Sequence, residues 1–216
     1  MATTKHFWLD PYQTVLDTHI GVVNGQEVQV AATIFFAFSG GQESDAGTLG
    51  GFPVLAARKD DLAIIYSLPA GHGLKVGDAV RIEIDERRRC RLMRLHFAAE
   101  LVLELVTRKL EGVEKIGAHI AEDKSRIDFA WPQSVAPLLP DLASQANALI
   151  AADLPIETYF TDPLLERRCW KIDGFAEVSC GGTHVRSTRE VGEIHLKRKN
   201  IGQGKERIEI RLAEAA

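Results

Sequence analysis

The residues best suited to chemistry form two pairs, each with a spacing of four positions. Cys180 and His184 flank two glycines in SCGGTHV, and His96 and Glu100 lie in a segment with the period of a helix. Residues at i and i+4 of a helix leave the same face one turn apart, and glycines let a loop turn back on itself. One thiolate, two imidazoles and one carboxylate are a donor set that suits tetrahedral zinc.

Each pair alone is a weak signal. A His and a Glu at i and i+4 more often form a solvated hydrogen bond, and a free Cys is often a small buried hydrophobe. The remaining histidines and cysteines are interpreted as non-ligands: His119 and His195 as structural or exposed strand residues, His72 as an exposed loop residue, Cys90 as a helix-start residue, and Cys169 as packed beside Trp170.

The hydrophobic pattern predicts an α+β protein in two parts. Residues 1–88 read as short β-branched strands between turns, which favours a small β-barrel or sandwich. Residues 87–112 have apolar positions at three- and four-residue steps, which predicts an amphipathic helix that Gly112 stops. A second helix at 134–152 and several antiparallel strands follow. We therefore expect an N-terminal barrel-like domain, 1–88, and a mixed helix and sheet domain, 89–216.

Composition limits the class of protein. The chain has 216 residues, 45% of them hydrophobic, and a formal net charge of −4, which excludes an obviously cationic nucleic-acid coat but not a local basic face. Three cysteines argue against a disulfide scaffold. Since the N-terminus lacks an apolar signal region and no stretch is long enough to span a membrane, we expect a cytosolic protein with no membrane partner.

Four segments resemble the editing domain of alanyl-tRNA synthetase. The shared segments correspond to RLHFAAELV around the helical pair, to SCGGTHV with the later NIGQGKERIEIRL, to the glycine-rich FSGGQESDAGTL, and to GAHIAEDKSRIDF. They cover nearly the whole chain in the family's order. Because no aminoacylation domain precedes them, the chain resembles a free-standing editing protein of the AlaX type that keeps the N-terminal barrel.

The resemblance implies a zinc site whose four positions fall on His96, Glu100, Cys180 and His184. Position 100 departs from the family, which has His there. A carboxylate can bind zinc, so Glu100 is a ligand under one interpretation; under others the site is empty or holds a different metal, or Glu100 is released and acts as a base. Phe97 is a second departure, because the family usually has Thr there, and its loss of a hydroxyl is expected to affect substrate choice.

The glycine-rich segment 39–51 reads by composition as a polar connection between strands. The resemblance instead implies that Gln42, Ser44 and Asp45 face the editing pocket and contact the substrate or position water. The backbone N–H groups of Gly181 and Gly182, or the metal, are expected to stabilise the oxyanion.

Two basic runs lie close in sequence to the candidate ligands. Charge runs are usually solvated faces, but clusters of this kind also contact RNA phosphates. The predicted RNA-binding residues are Arg87, Arg88, Arg89, Arg186, Lys197, Arg198 and Lys199.

The activity that the resemblance implies is hydrolysis of the ester between serine and tRNA(Ala), with glycine as a further candidate. A pocket shaped for alanine discriminates poorly against either amino acid, since such differences supply only about 1–3 kcal/mol. Two alternatives stay open: a catalytically inactive tRNA-binding protein, and a metal-dependent hydrolase of small molecules without an RNA partner.

Overall fold

The computed structural model describes residues 1–213, which group into two compact units. The first unit comprises Met1–Ser39 and Glu43–Cys90, and the second joins Gly40–Gln42 to the chain from Arg91 onward. The short segment Gly40–Gln42, which sequence reasoning places in the first domain, therefore groups with the second unit.

The regular structure of the first unit is β-strand, apart from a 3-10 turn at His6–Trp8 and the first residues of a helix that begins at Glu86. Its strands are β1 (Thr4–Lys5), β2 (Val15–Asn24), β3 (Glu27–Val30), β4 (Ala32–Thr33), β5 (Gly47–Leu49), β6 (Phe52–Pro53), β7 (Ala56–Asp60), β8 (Ala63–Ser67) and β9 (Ala79–Ile84).

Seven of these strands form one antiparallel sheet in the order β6-β5-β9-β2-β3-β8-β7, which curls into a half-barrel. The hydrophobic core of this unit includes fully buried side chains such as Val30, Leu49, Tyr66 and Ile82. In β9, buried and exposed residues alternate along the strand, so one face of this strand supplies core residues and the other stays in water.

Helix α1 (Glu86–Lys109) carries one of the two candidate pairs. The Asp85 carboxylate accepts a hydrogen bond from the Arg88 backbone N–H at 3.0 Å, which satisfies a free donor of the first turn. The chain leaves the helix before Gly112, whose φ of 77° is favoured by glycine. The predicted helix is confirmed, although it begins and ends slightly earlier than the pattern suggested.

The second unit contains two further sheets and a second helix, α2 (Leu139–Ala151), which a 3-10 turn at Ala136–Leu138 precedes. Its strands are β10 (Glu114–Ile120), β11 (Ser125–Ala130), β12 (Glu157–Asp162), β13 (Arg167–Ile172), β14 (Ala176–Ser179), β15 (Ile194–Asn200) and β16 (Lys205–Leu212). The antiparallel sheets have the orders β10-β11-β16-β15 and β12-β13-β14. The α+β class predicted from the sequence is confirmed.

Two local predictions are corrected. The predicted second helix starts later than residue 134, because its first turn is 3-10 and contains Pro137. His72 is buried, not exposed: its Nε2 bonds the Gly25 carbonyl at 2.9 Å and its Nδ1 accepts from the Leu74 N–H at 3.1 Å, so it stabilises a turn. Within residues 1–213, neither helix combines the length and apolar character that crossing a membrane requires.

Candidate metal centre

Three side chains of metal-ligand type converge inside the second unit. The donor atoms of His96, Cys180 and His184 all lie within 4.8 Å of one another. Cys180 Sγ is 3.3 Å from His96 Nε2 and 3.3 Å from His184 Nε2. Both histidines are buried and the thiol is half-buried. The helical pair and the loop pair therefore reach one point, although 84 residues separate His96 from Cys180.

The spacing of these donors fits a tetrahedral metal. Zinc bound at about 2.0–2.3 Å by nitrogen and sulfur places neighbouring donors about 3.3–3.6 Å apart. The two measured separations lie in this range. One thiolate and two imidazoles also match the ligand types that zinc prefers, so the residues present fit the metal that the sequence predicts.

Glu100 lies beside this group but outside it. Its Oε1 is 3.3 Å from His96 Nε2 and 3.6 Å from Cys180 Sγ, yet it is not among the three residues whose donors are mutually close. Its Oε2 accepts a hydrogen bond from Trp170 Nε1 at 3.0 Å. The sequence alone indicates no role for Trp170 beyond its place next to Cys169. A buried indole N–H needs an acceptor, and the Glu100 carboxylate supplies it.

The two candidate histidine ligands are held differently. His96 Nδ1 lies 2.6 Å from Gln42 Oε1, whereas His184 Nδ1 is buried and has no hydrogen-bond partner among the described residues. The His184 ring instead packs edge-on against His96 and Phe97, with centroid distances of 5.1 and 5.7 Å. Phe97 is fully buried and also packs on Trp170, so this departure from the family supplies ring packing next to a candidate ligand.

The ionisable groups at the centre perturb one another strongly. Burial alone would lower the pKa of His96, but the charges and hydrogen bonds of Cys180 and Glu100 raise it to about 10. Burial would raise the pKa of Glu100, and its hydrogen bond and attraction to His96 lower it to about 2. Burial, with repulsion from His96, lowers the pKa of His184 to about 3. The centre thus favours a positive charge on the His96 ring, beside Cys180 and Glu100, and keeps His184 neutral; metal binding at His96 would displace its proton.

The loop pair is positioned by its backbone. The Cys180 N–H donates to the Arg168 carbonyl at 2.9 Å, which fixes the end of β14 against β13. A Cβ on Gly182 would lie 2.0 Å from His96 Cε1, so only glycine fits there. The Arg168 side chain is buried, lies 5.3 Å from the Phe160 ring and donates to the Gly182 carbonyl at 3.4 Å. Burial lowers the pKa of Arg168 and Cys180 opposes that shift.

The glycine-rich segment behaves differently from the prediction. Gln42 is fully buried and both amide atoms bond protein groups, so it is not an exposed substrate contact. Ser44 and Asp45 belong to the first unit, where Ser44 Oγ accepts from the Phe38 N–H at 2.8 Å. Asp45 accepts from the Phe36 N–H at 2.7 Å and from Arg89 Nε at 2.9 Å. The Asp45 side chain is fully buried and paired with Arg89, so it is not exposed for the predicted substrate contact in this structure.

The predicted RNA-binding residues separate into buried, paired and exposed groups. Arg89 is fully buried and forms an ion pair with Asp45, so it is not exposed for the predicted phosphate contact in this structure. Arg88 pairs with Glu43 at 2.7 Å, and Arg198 pairs with Glu206. The exposed members are Arg87, Arg186, Lys197 and Lys199.

The loop pair of this α+β protein lies in a segment that tRNA synthetases share. Residues 171–209, which contain the loop pair, match the family described as the threonyl and alanyl tRNA synthetase second additional domain. The chain is also 32% identical over 219 residues to an alanine–tRNA ligase of Methanopyrus kandleri, covering 90% of this chain but 24% of the ligase.

Relatives of similar length give the family more narrowly. The chain is 30% identical over 212 residues to the alanyl-tRNA editing protein AlaX-M of Pyrococcus horikoshii, which covers 96% of this chain and 97% of that protein. It is 29% identical to the AlaX-M protein of Methanosarcina barkeri, over 98% of this chain and all of that protein. The chain belongs to the AlaX-M family of alanyl-tRNA editing proteins.

Proposed function

We propose that this protein hydrolyses the ester bond of seryl-tRNA(Ala), with glycyl-tRNA(Ala) as a further candidate substrate, and that zinc is held by His96, Cys180 and His184. The observation that carries the proposal is the convergence of these three buried donors within 4.8 Å, in a chain of the AlaX-M family. Three protein ligands leave one position of a tetrahedral metal open, which is the pattern of catalytic and not structural zinc sites.

Serine is the proposed substrate because a site for alanine excludes serine poorly. An alanine site rejects the extra hydroxyl of serine by only about 1–3 kcal/mol, so a second, hydrolytic site is needed to remove the wrong product. The cytosol is the proposed location, since Cys90, Cys169 and Cys180 are all free thiols.

In the proposed reaction, water attacks the ester carbonyl carbon and the bond to the ribose oxygen breaks, releasing serine and a tRNA hydroxyl. Bound zinc would supply Lewis-acid polarisation of the carbonyl. Glu100 Oε1 takes the proton of the attacking water and returns a proton to the leaving oxygen. The hydrogen bond from Trp170 to Oε2 supports this role, because it leaves Oε1 as the oxygen turned toward the centre.

The backbone N–H groups of Gly181 and Gly182 are proposed to stabilise the oxyanion. What supports this role is their place between Cys180 and Thr183, with Gly182 against the His96 ring. Backbone donors fixed by a packed loop need no reorganisation during the reaction, and each such donor is typically worth about a hundredfold or more in rate.

Two of the proposed RNA contacts, Lys197 and Lys199, lie on one face of the sheet β10-β11-β16-β15. Side chains alternate across a strand, so Lys197 and Lys199 of β15 share a face, whereas Arg198 points to the opposite face and bonds Glu206. Cross-strand pairing adds Arg207 and Arg211 of β16 to the lysine face. Arg126 and Asp128 of β11 complete it, as the partners of Glu209 and Arg207.

This lysine face is basic although the chain is acidic overall. Ion pairs join its central arginines to Asp128 and link Lys124 to Glu209 and Arg211 to Asp123. Six basic side chains therefore meet three carboxylates. Lys197 and Lys199 are exposed at the edge strand, where phosphates can reach them. We propose that they contact the tRNA backbone, with Arg87 and Arg186 as further contacts.

A deacylation assay tests the proposed function. Purified protein is mixed with seryl-, glycyl- and alanyl-tRNA(Ala), and release of each amino acid is followed. We expect rapid loss of serine and little loss of alanine. Binding of tRNA without turnover would support an inactive editing domain instead, and hydrolysis of small esters but not of aminoacyl-tRNA would support a small-molecule hydrolase.

A further inference from the structure

Gln42 lies directly behind one candidate metal ligand. Its Oε1 is 2.6 Å from His96 Nδ1 and 3.3 Å from the Thr183 backbone nitrogen, and its Nε2 donates to Thr183 Oγ1 at 2.9 Å. Gln42 is fully buried, and only 1% of the surface of Thr183 is exposed. The three contacts join the glycine-rich segment, helix α1 and the SCGGTHV loop, which come from distant parts of the chain.

The orientation of this amide is determined by its neighbours. A backbone N–H can only donate, so the Gln42 atom that faces the Thr183 nitrogen must be the carbonyl oxygen. The same oxygen faces His96 Nδ1, which must therefore carry a hydrogen and donate. A histidine that donates from Nδ1 presents Nε2 as its metal-binding nitrogen, and Nε2 is the atom that faces Cys180.

Two glycines explain how Gln42 reaches this place. Gly40 and Gly41 have φ values of 60° and 89°, which side-chain-bearing residues rarely adopt. A Cβ on Gly41 would lie 2.6 Å from the Ala118 carbonyl oxygen, and the Ile120 N–H donates to the Gly41 carbonyl at 2.8 Å. The Gly-Gly-Gln triplet thus lets the chain lie against β10 and carries the amide to His96.

We infer that Gln42 is a positioning residue, which holds the Nδ1–H of His96 and so presents Nε2 to the metal. The inference rests on the metal centre of the proposed function. Hydrogen-bond partners of metal-binding histidines fix the ring and raise its basicity, and their loss typically weakens metal binding about 10–100-fold.

Metal affinity and the His96 ring proton test this inference together. The affinity for cobalt(II) is measured by titration into metal-free protein. The His96 Nδ1–H resonance is followed by NMR in a separate metal-free sample. Gln42→Met should weaken cobalt binding about 10–100-fold and abolish the protected resonance. Gln42→Glu keeps an acceptor and should retain both. Gln145→Met, which removes an exposed amide on α2, is the matched control.

A second variant serves if Gln42→Met does not fold. Thr183→Val deletes the hydroxyl that accepts from Gln42 Nε2 and should weaken cobalt binding several-fold, whereas Thr183→Ser should not. Wild-type affinity and an unchanged ring proton in Gln42→Met or Thr183→Val would overturn the inference. If wild-type protein binds no cobalt, the proposed metal centre fails, while the ring proton still tests the contact between Gln42 and His96.

Discussion

Two buried polar clusters, one in each unit, use their hydrogen bonds in opposite ways. In the first unit, Arg89 donates to Asp45, to the Ile34 carbonyl at 2.6 Å and to the Pro11 carbonyl at 2.8 Å. Every arm of this guanidinium has an acceptor, and Asp45 also caps the Phe36 N–H. In the second unit, the metal centre leaves His184 Nδ1 without a partner among the described residues.

The difference separates a structural cluster from one prepared for a ligand. A buried charge that is fully paired cannot also bind an outside molecule without losing those bonds. The metal centre instead groups a thiol, two imidazoles and a carboxylate, which are donors that a bound metal ion would hold in their deprotonated forms. Variants of the Arg89 cluster should therefore change stability, and variants of the metal centre should change metal content and rate.

The largest effect is expected from Cys180→Ala. Loss of the only sulfur donor should reduce zinc content, measured by elemental analysis, and slow release of serine from seryl-tRNA(Ala) about a thousandfold, equal to about 4 kcal/mol. Cys90→Ala, which removes a thiol near the start of α1, is the control and should retain both. Wild-type zinc content in Cys180→Ala would show that Cys180 does not bind the metal and would contradict the contrast between the two clusters.

Arg89→Met should lower the free energy of unfolding by about 3–5 kcal/mol, because it leaves Asp45 buried without its ion-pair partner. Chemical denaturation measures this loss. The neighbouring exposed Arg87→Met should change stability by less than about 0.5 kcal/mol. The hydrolysis rate per folded molecule should not change in Arg89→Met. A loss of rate at full folding would show that the Arg89 cluster serves more than structure.

Glu100→Gln sharpens the distinction between ligand and base. If Glu100 transfers the proton, this variant should keep its zinc and hydrolyse seryl-tRNA(Ala) about a hundredfold more slowly. Glu104→Gln, one helical turn further along α1, should behave like the wild type. Loss of zinc from Glu100→Gln would instead identify Glu100 as a fourth ligand and contradict the three-donor centre.

The smallest effect is expected on the lysine face. Neutralising Lys197 and Lys199 together to Gln should raise KM for seryl-tRNA(Ala) about tenfold and reduce the slope of log KM against log salt by about 2, with kcat unchanged. The double variant Lys75→Gln, Lys115→Gln removes the same charge from other exposed positions. If both double variants raise KM equally, the change in KM reflects net charge, and this result would contradict specific RNA binding by the lysine face.

Sequence reasoning found the donors because both pairs follow local rules. The i, i+4 spacing of α1 placed His96 and Glu100 together, and the two glycines indicated a turning loop at Cys180. It missed Gln42 and Trp170 as partners, since contacts across 54 and 70 residues leave no local periodicity.

At Arg89, the charge and the helical period predict opposite environments. Arg89 reads as part of a basic run, yet it precedes Leu92, Met93 and His96 by three, four and seven positions, which places it on the buried stripe of the helix. The charge of Arg89 predicts a solvent-exposed side chain, whereas the helical period predicts a buried one. Arg89 is buried, as the helical period predicts, because Asp45 and two carbonyl groups compensate its charge.

The central claim is that α1 and the SCGGTHV loop bind one metal ion together. X-ray absorption at the zinc edge of the purified protein measures this most directly. We expect one sulfur at about 2.3 Å and two imidazole nitrogens at about 2.0 Å, completed by an oxygen donor, with the sulfur absent in Cys180→Ala. A zinc environment without sulfur in the wild type, or protein that binds no zinc, would contradict it.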